Sequence, residues 1–495
     1  MTSTAASEKS GRRFEFWLIL PAALGLLGIY FHEWWRDEAY TWLVVGASGT
    51  LGELFQNLGF NGHPRAYYVM VWILYHVWRN PLALSLMNLT FALAAIYLFM
   101  RWAPVTRLQA VLFGVGFYPL YQYGIMSRSY SLILLLVFLY CHLRRSRPSA
   151  VVLRLVVLAA LAQIHLISLM AAAVLLFFDG VTMPPGLRWK KQNLLAAALV
   201  VLSLAASVWQ MAPRGATVPT VHSHDWSSVV IGVSNAFVPD FGVLHDNQRV
   251  RRYAQRVPGL LLFMGAWILL WPDRNALLAY LMLTGGLATI CFVVYSGFRW
   301  HHGFYFIFLL TAIWLAGNPA SSAPVRHVLT VMLIAQVLLG IYALESDVRR
   351  PYSDGRLVAA YLRDHHLDQM PLVGLNVIPG TNRTAYQWEV DALQPVLLEL
   401  GGSRVYDPIA NSYERFFTHY ATRDYFPTMP QEQADRELVE LASRLGPFVV
   451  VAMRYTPPGE AMTVPAGLRK LVDFPTPLDF GEAYSIFLYS NGTTP

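Results

Sequence analysis

Long apolar runs separated by short polar segments occupy the first two-thirds of the chain. A helix needs about 20 apolar residues to cross the hydrocarbon core of a membrane, so these runs predict about eleven membrane-spanning helices. The apolar stretch 66–79 is shorter and rich in aromatic residues, which favours a helix lying at the outer membrane interface. The expected spans lie near residues 14–33, 82–100, 108–125, 130–143, 151–164, 166–179, 192–212, 258–272, 275–296, 303–317 and 327–344.

The basic residues between the apolar runs predict the orientation of these spans. Cytoplasmic loops carry an excess of Lys and Arg, so Lys9, Arg12 and Arg13 place the N-terminus in the cytoplasm, before a first run that is retained as a span. Two spans within 151–179, rather than one, keep the later basic loops on that same side. The arginines within 249–256 fall on the outer side, in a long loop (213–257) where the rule weakens. The residues expected to be cytoplasmic are Arg101, Arg107, Arg144, Arg145, Arg147, Arg188, Lys190, Lys191, Arg274 and Arg326.

The last third of the chain has a different pattern, in which amphipathic helices precede short apolar strands. Three such units occur: GRLVAAYLRDHH before PLVGLNV, LQPVLLELGG before SRVYDP, and ADRELVELASRL before PFVVVAMRY. Two edge strands are expected near 469–475 and 484–489. The pattern is typical of a small Rossmann-like sheet, and no GxGxxG follows a strand to support a nucleotide site. We therefore expect a membrane domain, residues 1–344, and an outer soluble α/β domain, residues 345–495, acting as a lid or acceptor-binding domain.

The composition agrees with this division and excludes other classes of protein. Hydrophobic residues make up 55% of the 495 residues and charged residues only 14%, whereas about 25% is usual in soluble domains. The two cysteines, Cys141 and Cys291, lie within apolar runs and indicate no disulfide framework. The formal net charge is +7, but there is no nucleic-acid-binding motif. We interpret the basicity as a signal of membrane topology and expect no nucleic-acid partner.

The polar residues nearest the membrane are concentrated in the first outer loop, residues 33–80. The segment HEWWRDEAYTW contains Asp37 and Glu38, and the later segment NGHPRAYY contains His63 and Arg65. Acidic groups beside a span are costly unless they are solvated or paired, which makes them candidates for function. The alternative is a solvated loop with no chemical role.

Further polar residues occur where other spans meet the same outer face. Arg128 lies in SRSYS, Arg299, His301 and His302 lie in FRWHHGFYF, and His165 lies in the turn between two spans. Each alone also fits a snorkelling anchor or a turn residue. The predicted topology places all of them on one face, which favours a functional role, and the cations Arg299, His301 and His302 could there hold a lipid phosphate. The segment HSHDW (His222, His224 and Asp225) has metal-ligand residue types but no further ligand nearby in sequence.

These motifs together resemble the GT-C glycosyltransferases that use polyprenyl-phosphate sugars, and more closely the bacterial glycosyltransferase family 39 or 83 group. The superfamily includes protein O-mannosyltransferases and lipid A aminoarabinose transferases. RDEAYTW followed by GHP carries the resemblance, and SRSYSLILLL, RWHHGFYF and the soluble tail support it. The resemblance covers roughly residues 14–344 in layout.

The resemblance implies roles for particular residues. Asp37 is the base that deprotonates or orients the acceptor hydroxyl, with Glu38 beside it, and His63 lies near the donor phosphate. Arg65 stands where the group commonly has a second proline, and there it would bind phosphate directly. The lipid phosphate is contacted by Arg128, Arg299, His301 and His302. Family members differ in metal dependence, so a divalent ion (Mg, Mn or Zn) held by Asp37, Glu38 or His63 is left open.

The expected function follows from these roles. The enzyme moves a sugar from a polyprenyl-phosphate donor to an acceptor hydroxyl of a glycan, lipid or protein, on the outer face of a bacterial inner membrane. Cations stabilise the leaving phosphate, a carboxylate takes the proton, and a single displacement inverts the anomeric centre. The alternatives are a transporter or flippase of lipid-linked glycans, a polysaccharide polymerase or ligase with a lipid-diphosphate donor, and a scaffold without catalysis. A transporter predicts mid-membrane charges and an internal repeat, and the sequence has neither.

Overall fold

A computed structural model describes residues 16–59, 61–212, 225–239, 248–316, 323–378, 385–416, 428–454, 464–474 and 482–490. It is mainly helical, with a mixed β-sheet near the C-terminus. This confirms the predicted order of a helical part followed by an α/β part. The helices of the first part are α1 Ile19–Phe31, α2 Arg36–Gly46, α3 Leu51–Asn57, α4 Ala66–Val77, α5 Leu82–Trp102, α6 Arg107–Gly114, α7 Tyr130–Ser146, α8 Val151–Ala162, α9 Leu166–Thr182, α10 Pro185–Arg188, α11 Lys191–Met211, α12 Trp226–Phe237, α13 Gln248–Leu270, α14 Arg274–Val293, α15 Arg299–Ala316 and α16 Ala323–Arg349.

Four helices of the described part are long and apolar enough to cross a membrane, and they are α5, α11, α14 and the segment Arg326–Arg349 of α16. A fifth span results if α1 and α2, which meet at 81°, are counted together. Other apolar helices have 10–17 residues, so the expected count of about eleven full-length spans is not evident. On α11 the apolar side chains point outward, with Leu202 67% and Leu195 63% exposed. Exposed apolar surface of this extent is compatible with contact to lipid.

The bend between α1 and α2 places the first acidic residues at a helix N-terminus. His32 and Trp35 have extended backbone conformations, and the Glu38 carboxylate accepts a hydrogen bond from the Trp35 backbone N–H at 3.3 Å. Glu38 thus satisfies a backbone donor just before its own helix, and acidic residues are favoured in the first turn. The bend brings Asp37 and Glu38 to the end of α1.

The apolar run 108–125 is interrupted rather than forming one span. Helix α6 ends at Gly114, Gly116 is extended, and a π-helical segment follows over Phe117–Ile125. The backbone of α16 approaches here, because a Cβ on Gly340 would lie 3.2 Å from the Phe117 backbone nitrogen. A hydropathy pattern does not show that two backbone segments approach each other so closely. The π-helical segment ends just before Arg128, and single π turns are frequent at functional sites.

The stretch 151–179 forms two helices, α8 and α9, as predicted, joined by a turn that contains His165. Arg154 of α8 pairs with Asp179 of α9 at 2.6 Å, and Arg144 of α7 contacts the other carboxylate oxygen of Asp179. A buried charge needs a partner of opposite sign, so this cluster joins the three helices at one end.

The region 213–257, expected to be a loop, contains helical structure. Helix α12 occupies Trp226–Phe237, and α13 begins at Gln248, so the arginines within 249–256 lie in its first turns. Asp225 caps α12 by accepting a hydrogen bond from the Ser227 backbone N–H at 2.8 Å. A capping role accounts for Asp225 without a metal. His222 and His224 lie outside the described residues.

The C-terminal part contains the three predicted helix–strand units in one sheet. Strands β1, β3 and β5 are parallel, with the order β4-β3-β1-β5-β7-β6, and β2 pairs with β1. Only β6 of the last two strands is an edge strand, because β7 pairs with both β5 and β6. The short antiparallel strands β2 and β4 were not predicted. The elements are α17 Gly355–Asp364, β1 Leu372–Ile378, β2 Ala385–Trp388, α18 Gln394–Glu399, β3 Val405–Asp407, β4 Ser412–Glu414, α19 Gln431–Leu445, β5 Phe448–Arg454, β6 Leu468–Asp473 and β7 Ala483–Tyr489.

Candidate functional site

The structure brings the first-loop aspartate and the SRSYS arginine into direct contact. Arg128 donates a hydrogen bond to the Asp37 backbone carbonyl at 2.8 Å, and its other terminal nitrogen lies 3.4 Å from a carboxylate oxygen of Asp37. The Arg128 side chain is 12% exposed and that of Asp37 is 32% exposed. An accessible carboxylate therefore lies beside a nearly buried cation. We call these two residues the Asp37–Arg128 pair.

Glu38 points away from this pair into a buried network. One of its carboxylate oxygens lies 2.9 Å from His32 Nε2, and the other accepts a hydrogen bond from the Ser127 backbone N–H. His32 Nδ1 lies 2.9 Å from a carboxylate oxygen of Asp347 on α16. A histidine ring donates from both nitrogens only as the imidazolium, which two carboxylates favour. Glu38 thus joins α2 to the segment that carries Arg128, and it is fully buried.

Three histidines from distant parts of the chain lie side by side next to the Asp37–Arg128 pair. The His63 ring, just before α4, lies 4.6 Å from that of His165, and the His165 ring lies 5.7 Å from that of His301 on α15. His301 Nε2 is 3.0 Å from the Tyr130 hydroxyl oxygen. We call His63, His165 and His301 the histidine group. Burial, and then the positive charge of Arg128, lower the pKa of His63 to about 4, so its ring is neutral at pH 7.

A small cavity of about 10 Å³, enough for one oxygen-sized group, lies beside Arg128, His63 and His165. Its wall combines an arginine, two histidines and several hydroxyl groups with the apolar atoms of Ile164 and the tyrosine rings. Such a wall offers hydrogen-bond donors to a bound group with oxygen atoms. The lining residues are Thr41, His63, Tyr67, Tyr68, Arg128, Ser129, Ile164 and His165.

The other predicted phosphate contacts lie elsewhere. The Arg65 guanidinium packs over the Phe55 ring at 5.0 Å. His302 lies 3.1 Å from the Ser296 carbonyl oxygen and so steadies the turn before α15, and Arg299 is close enough to Tyr352 to interact electrostatically. Of the predicted phosphate ligands, the structure thus groups Arg128, His63 and His301, and it places Arg65, Arg299 and His302 in other contacts.

The side chains near the site show whether they are arranged to bind a metal ion. Among the residues that the structure describes, no group of three or more His, Cys, Asp or Glu side chains is arranged to hold a metal. Of the three candidates, Glu38 faces His32, Asp37 faces Arg128 and His63 stacks on His165. They do not form one ligand set, and no step of the reaction proposed below involves a metal.

The C-terminal α/β part contacts the start of α2 through Arg36, the residue before Asp37. The Arg36 backbone N–H donates to Glu482 at 3.2 Å, and its guanidinium lies 3.4 Å from Asp391 and 3.7 Å from Glu389. We call these three acidic residues the carboxylate cluster. Asp391 is also close enough to Asp37 and Arg128 to interact electrostatically. The cluster therefore ties the C-terminal domain to the candidate site.

Burial of the carboxylate cluster makes its protonation depend on pH near neutrality. Burial raises the pKa of Glu482 to about 8, although Arg36 opposes the shift. Burial likewise raises the pKa of Glu389 and that of Asp391. A carboxyl whose pKa is raised in the folded protein contributes stability that is complete at acidic pH and is lost as the pH rises through the folded pKa.

We expect the unfolding temperature to fall by about 5 °C between pH 6 and pH 9 because of this loss. Glu482→Gln, which carries no titrating proton, should flatten the decline, whereas the exposed Glu432→Gln on α19 should not change it. Thermal unfolding of the purified protein at a series of pH values measures the effect. A decline of the same slope in Glu482→Gln and wild type would contradict it.

Several residues of this site did not stand out in the sequence. Asp347 follows the last apolar run and looks like an ordinary charged helix end, and the carboxylate cluster is spread over the loops of the C-terminal domain. His165 was recognised only as a turn residue. One signal was present: His32 and Arg36 lie among other charged residues at the end of the first apolar run. Charged groups there need partners, but the sequence did not show which residues these are.

The site is therefore assembled from short segments far apart along the chain, and its geometry rather than a long motif defines it. Fold alone does not establish chemistry, so the function is argued below from the side chains. No protein-family model matches this sequence, and no curated protein and no solved structure matches it either.

Proposed function

We propose that the protein is an inverting glycosyltransferase that moves a sugar from a polyprenyl-phosphate donor to an acceptor hydroxyl. One observation carries the proposal: an accessible carboxylate, Asp37, is paired with a largely buried arginine, Arg128, beside a small cavity lined by histidines and hydroxyl groups. Transfer from a lipid phosphate needs a base and an anion site next to each other. Apolar helices around the site suit a donor held in the membrane.

In the proposed reaction the acceptor oxygen attacks the anomeric carbon while the bond from that carbon to the phosphate oxygen breaks. The acceptor proton passes to the Asp37 carboxylate. The electron pair leaves with the polyprenyl phosphate, and Arg128 stabilises its charge with help from the histidine group. Because one displacement occurs at carbon, the anomeric configuration inverts, and no second nucleophilic carboxylate is needed.

Glu38 has a positioning role in this proposal. Its two oxygens hold His32 and the Ser127 backbone, so it fixes the start of α2 relative to Arg128. Buried groups that are already paired cannot accept a further proton without losing those contacts. The different roles of the two neighbouring acids therefore follow from their burial: Asp37 accepts the proton, and Glu38 positions the start of α2.

The proposal includes the GT-C fold. It has about eleven membrane segments, some of them short or broken, with the N-terminus in the cytoplasm and the α/β domain outside a bacterial inner membrane. The contact between Arg36 and the carboxylate cluster supports a C-terminal domain on the same side as Asp37. The sugar and the acceptor, whether glycan, lipid or protein, are left open.

Release of free polyprenyl phosphate from radiolabelled donors tests the reaction class. Purified wild-type protein is incubated with a panel of polyprenyl-phosphate sugars, a parallel panel of diphosphate-linked sugars, and crude acceptor lipids. We expect release of the monophosphate lipid from at least one donor of the first panel. Consumption of diphosphate donors alone would favour a polymerase or ligase. No release at all, with movement of the labelled lipid across vesicles, would favour a flippase.

A further inference from the structure

His165 is built into the wall of the cavity by the turn between α8 and α9. It is 2% exposed, and its Nδ1 accepts a hydrogen bond from the Ile167 backbone N–H at 3.2 Å, which caps α9. Capping alone would explain why a histidine is present. It leaves the other ring nitrogen, Nε2, unexplained, because Nε2 has no hydrogen-bond partner among the residues that the structure describes.

The capping bond determines which nitrogen of His165 carries the proton. A nitrogen that accepts from a backbone N–H has its lone pair free, so in the neutral ring the hydrogen must be on Nε2. The ring is neutral because burial, and then the neighbouring His63, His301 and Arg128, lower the pKa of His165. A buried N–H donor without an acceptor is costly, so the oxygen of a ligand or of a water molecule is needed beside it.

The neighbouring groups present donors in the same way. His301 Nδ1 accepts from the Phe298 backbone N–H at 3.0 Å, so its Nε2–H is directed at the Tyr130 hydroxyl oxygen. Tyr130 is also hydrogen-bonded to Arg128. With both lone pairs of its oxygen facing donors, the Tyr130 hydroxyl keeps its hydrogen for another acceptor. Arg128, His165 and Tyr130 therefore offer hydrogens, an arrangement that suits the binding of an anion.

We propose that the Nε2–H of neutral His165 donates a hydrogen bond to an anionic oxygen of a lipid phosphate held beside Arg128. This rests on the function proposed above and adds a binding residue that the family resemblance does not supply. Hydrogen bonds to a charged acceptor are among the stronger ones in proteins, and at a buried site their loss weakens binding about tenfold or more. Donation by a neutral ring also means that this contact does not require protonation of His165.

Two substitutions separate donation from capping. In His165→Asn the amide oxygen occupies the place of Nδ1 and keeps the cap, but the Nε2 donor is lost. In His165→Gln the amide nitrogen reaches the place of Nε2, but the cap is weakened. His142→Asn, on α7 about 18 Å along the helix from Tyr130, is the matched control.

The measurement is the affinity of each purified variant for geranylgeranyl phosphate compared with geranylgeraniol, which has the same chain without the phosphate. We expect His165→Asn to lose about tenfold in affinity for the phosphate with an unchanged unfolding temperature. His165→Gln should stay within about threefold of wild type but unfold at a lower temperature, and His142→Asn should bind as wild type does. Affinity for the alcohol should not change in any of them.

Several outcomes would overturn the inference. Wild-type protein that binds the phosphate no better than the alcohol has no such anion contact. Equal losses in His165→Asn and His165→Gln, or no loss in His165→Asn, would show that the Nε2 donor is not used. Displacement of the prenyl phosphate by an equal concentration of inorganic phosphate would identify a free-anion site instead of a lipid phosphate.

The pH dependence gives a second, independent readout. The groups facing His165 are His63, His301, Tyr130 and Arg128. None of them is expected to change charge between pH 6 and pH 8, whereas the phosphate of the probe, with a second pKa of about 6, gains negative charge, so affinity should not fall as the pH rises through this interval. A loss of about tenfold or more across that interval, abolished by His165→Asn, would show a protonated ring and overturn the neutral donor. Binding without donor turnover would refute the proposed transferase and leave this contact standing.

Discussion

Asp37→Asn is expected to reduce the release of polyprenyl phosphate by at least about 100-fold, because an amide cannot take the acceptor proton. The substitution preserves the shape of the side chain and the Arg128 contact with the Asp37 backbone carbonyl. The loss should therefore appear in kcat, with little change in the affinity for the donor. The assay compares initial rates at equal protein concentration, with unfolding temperatures recorded to exclude loss of structure.

Glu53→Gln is the matched control for this substitution. Glu53 is an exposed carboxylate close in sequence to Asp37, at the start of α3, and its side chain accepts a hydrogen bond from the Gly49 backbone N–H at 2.7 Å. Its replacement should leave the rate within about twofold, as is usual for surface changes. If Asp37→Asn were as active as Glu53→Gln, Asp37 would not be the base, although the class of donor would stand.

Arg128→Gln is expected to lower kcat/KM by about 10²–10³-fold, the usual cost of removing a group that stabilises a leaving anion. Arg128 contacts both Asp37 and the cavity, so its loss removes the anion contact and also leaves the carboxylate without its partner. Arg128→Lys should recover part of the activity, since it restores the charge but not the forked guanidinium geometry. Steady-state kinetics with saturating acceptor separates kcat from KM.

The exposed Arg147 at the end of α7 provides the comparison for Arg128. Arg147→Gln changes the net charge by the same amount at the opposite end of that helix, and we expect no more than a twofold effect. Equal losses in both variants would indicate a general effect of charge on membrane insertion. Full activity of Arg128→Gln would show that Arg128 takes no part in the reaction.

The broad organisation of the chain could be predicted because hydrophobic residues recur with different periods in helices and in strands. The two helices of 151–179 and the three helix–strand units of the C-terminal part were predicted and are present. The break before Phe117, where Gly340 of α16 approaches the backbone, could not be predicted, since the apolar run continues through it. Helix α12, within the expected loop, is a short apolar segment with no signal strong enough to distinguish it from a connection.

The sequence predicted several residues of the candidate site, but it did not predict which of them contact each other. Asp37, His63, Arg128 and His301 were each identified as polar residues on one face, and the structure places them together. The sequence could not tell that Glu38 turns inward to His32 while Asp37 remains accessible. Neighbours on a helix point in different directions, and which of them faces solvent depends on tertiary packing.

The bond between His32 and Asp347 joins residues separated by 315 positions, and this has a consequence for biosynthesis. A nascent chain acquires Asp37, His63, Arg128 and His301 before Asp347 leaves the ribosome. Until then His32, held between α1 and Glu38, lacks its second carboxylate, and the start of α2 is not secured. A stalled or clipped product ending before residue 347 would therefore carry every residue of the proposed reaction without the framework that orients them.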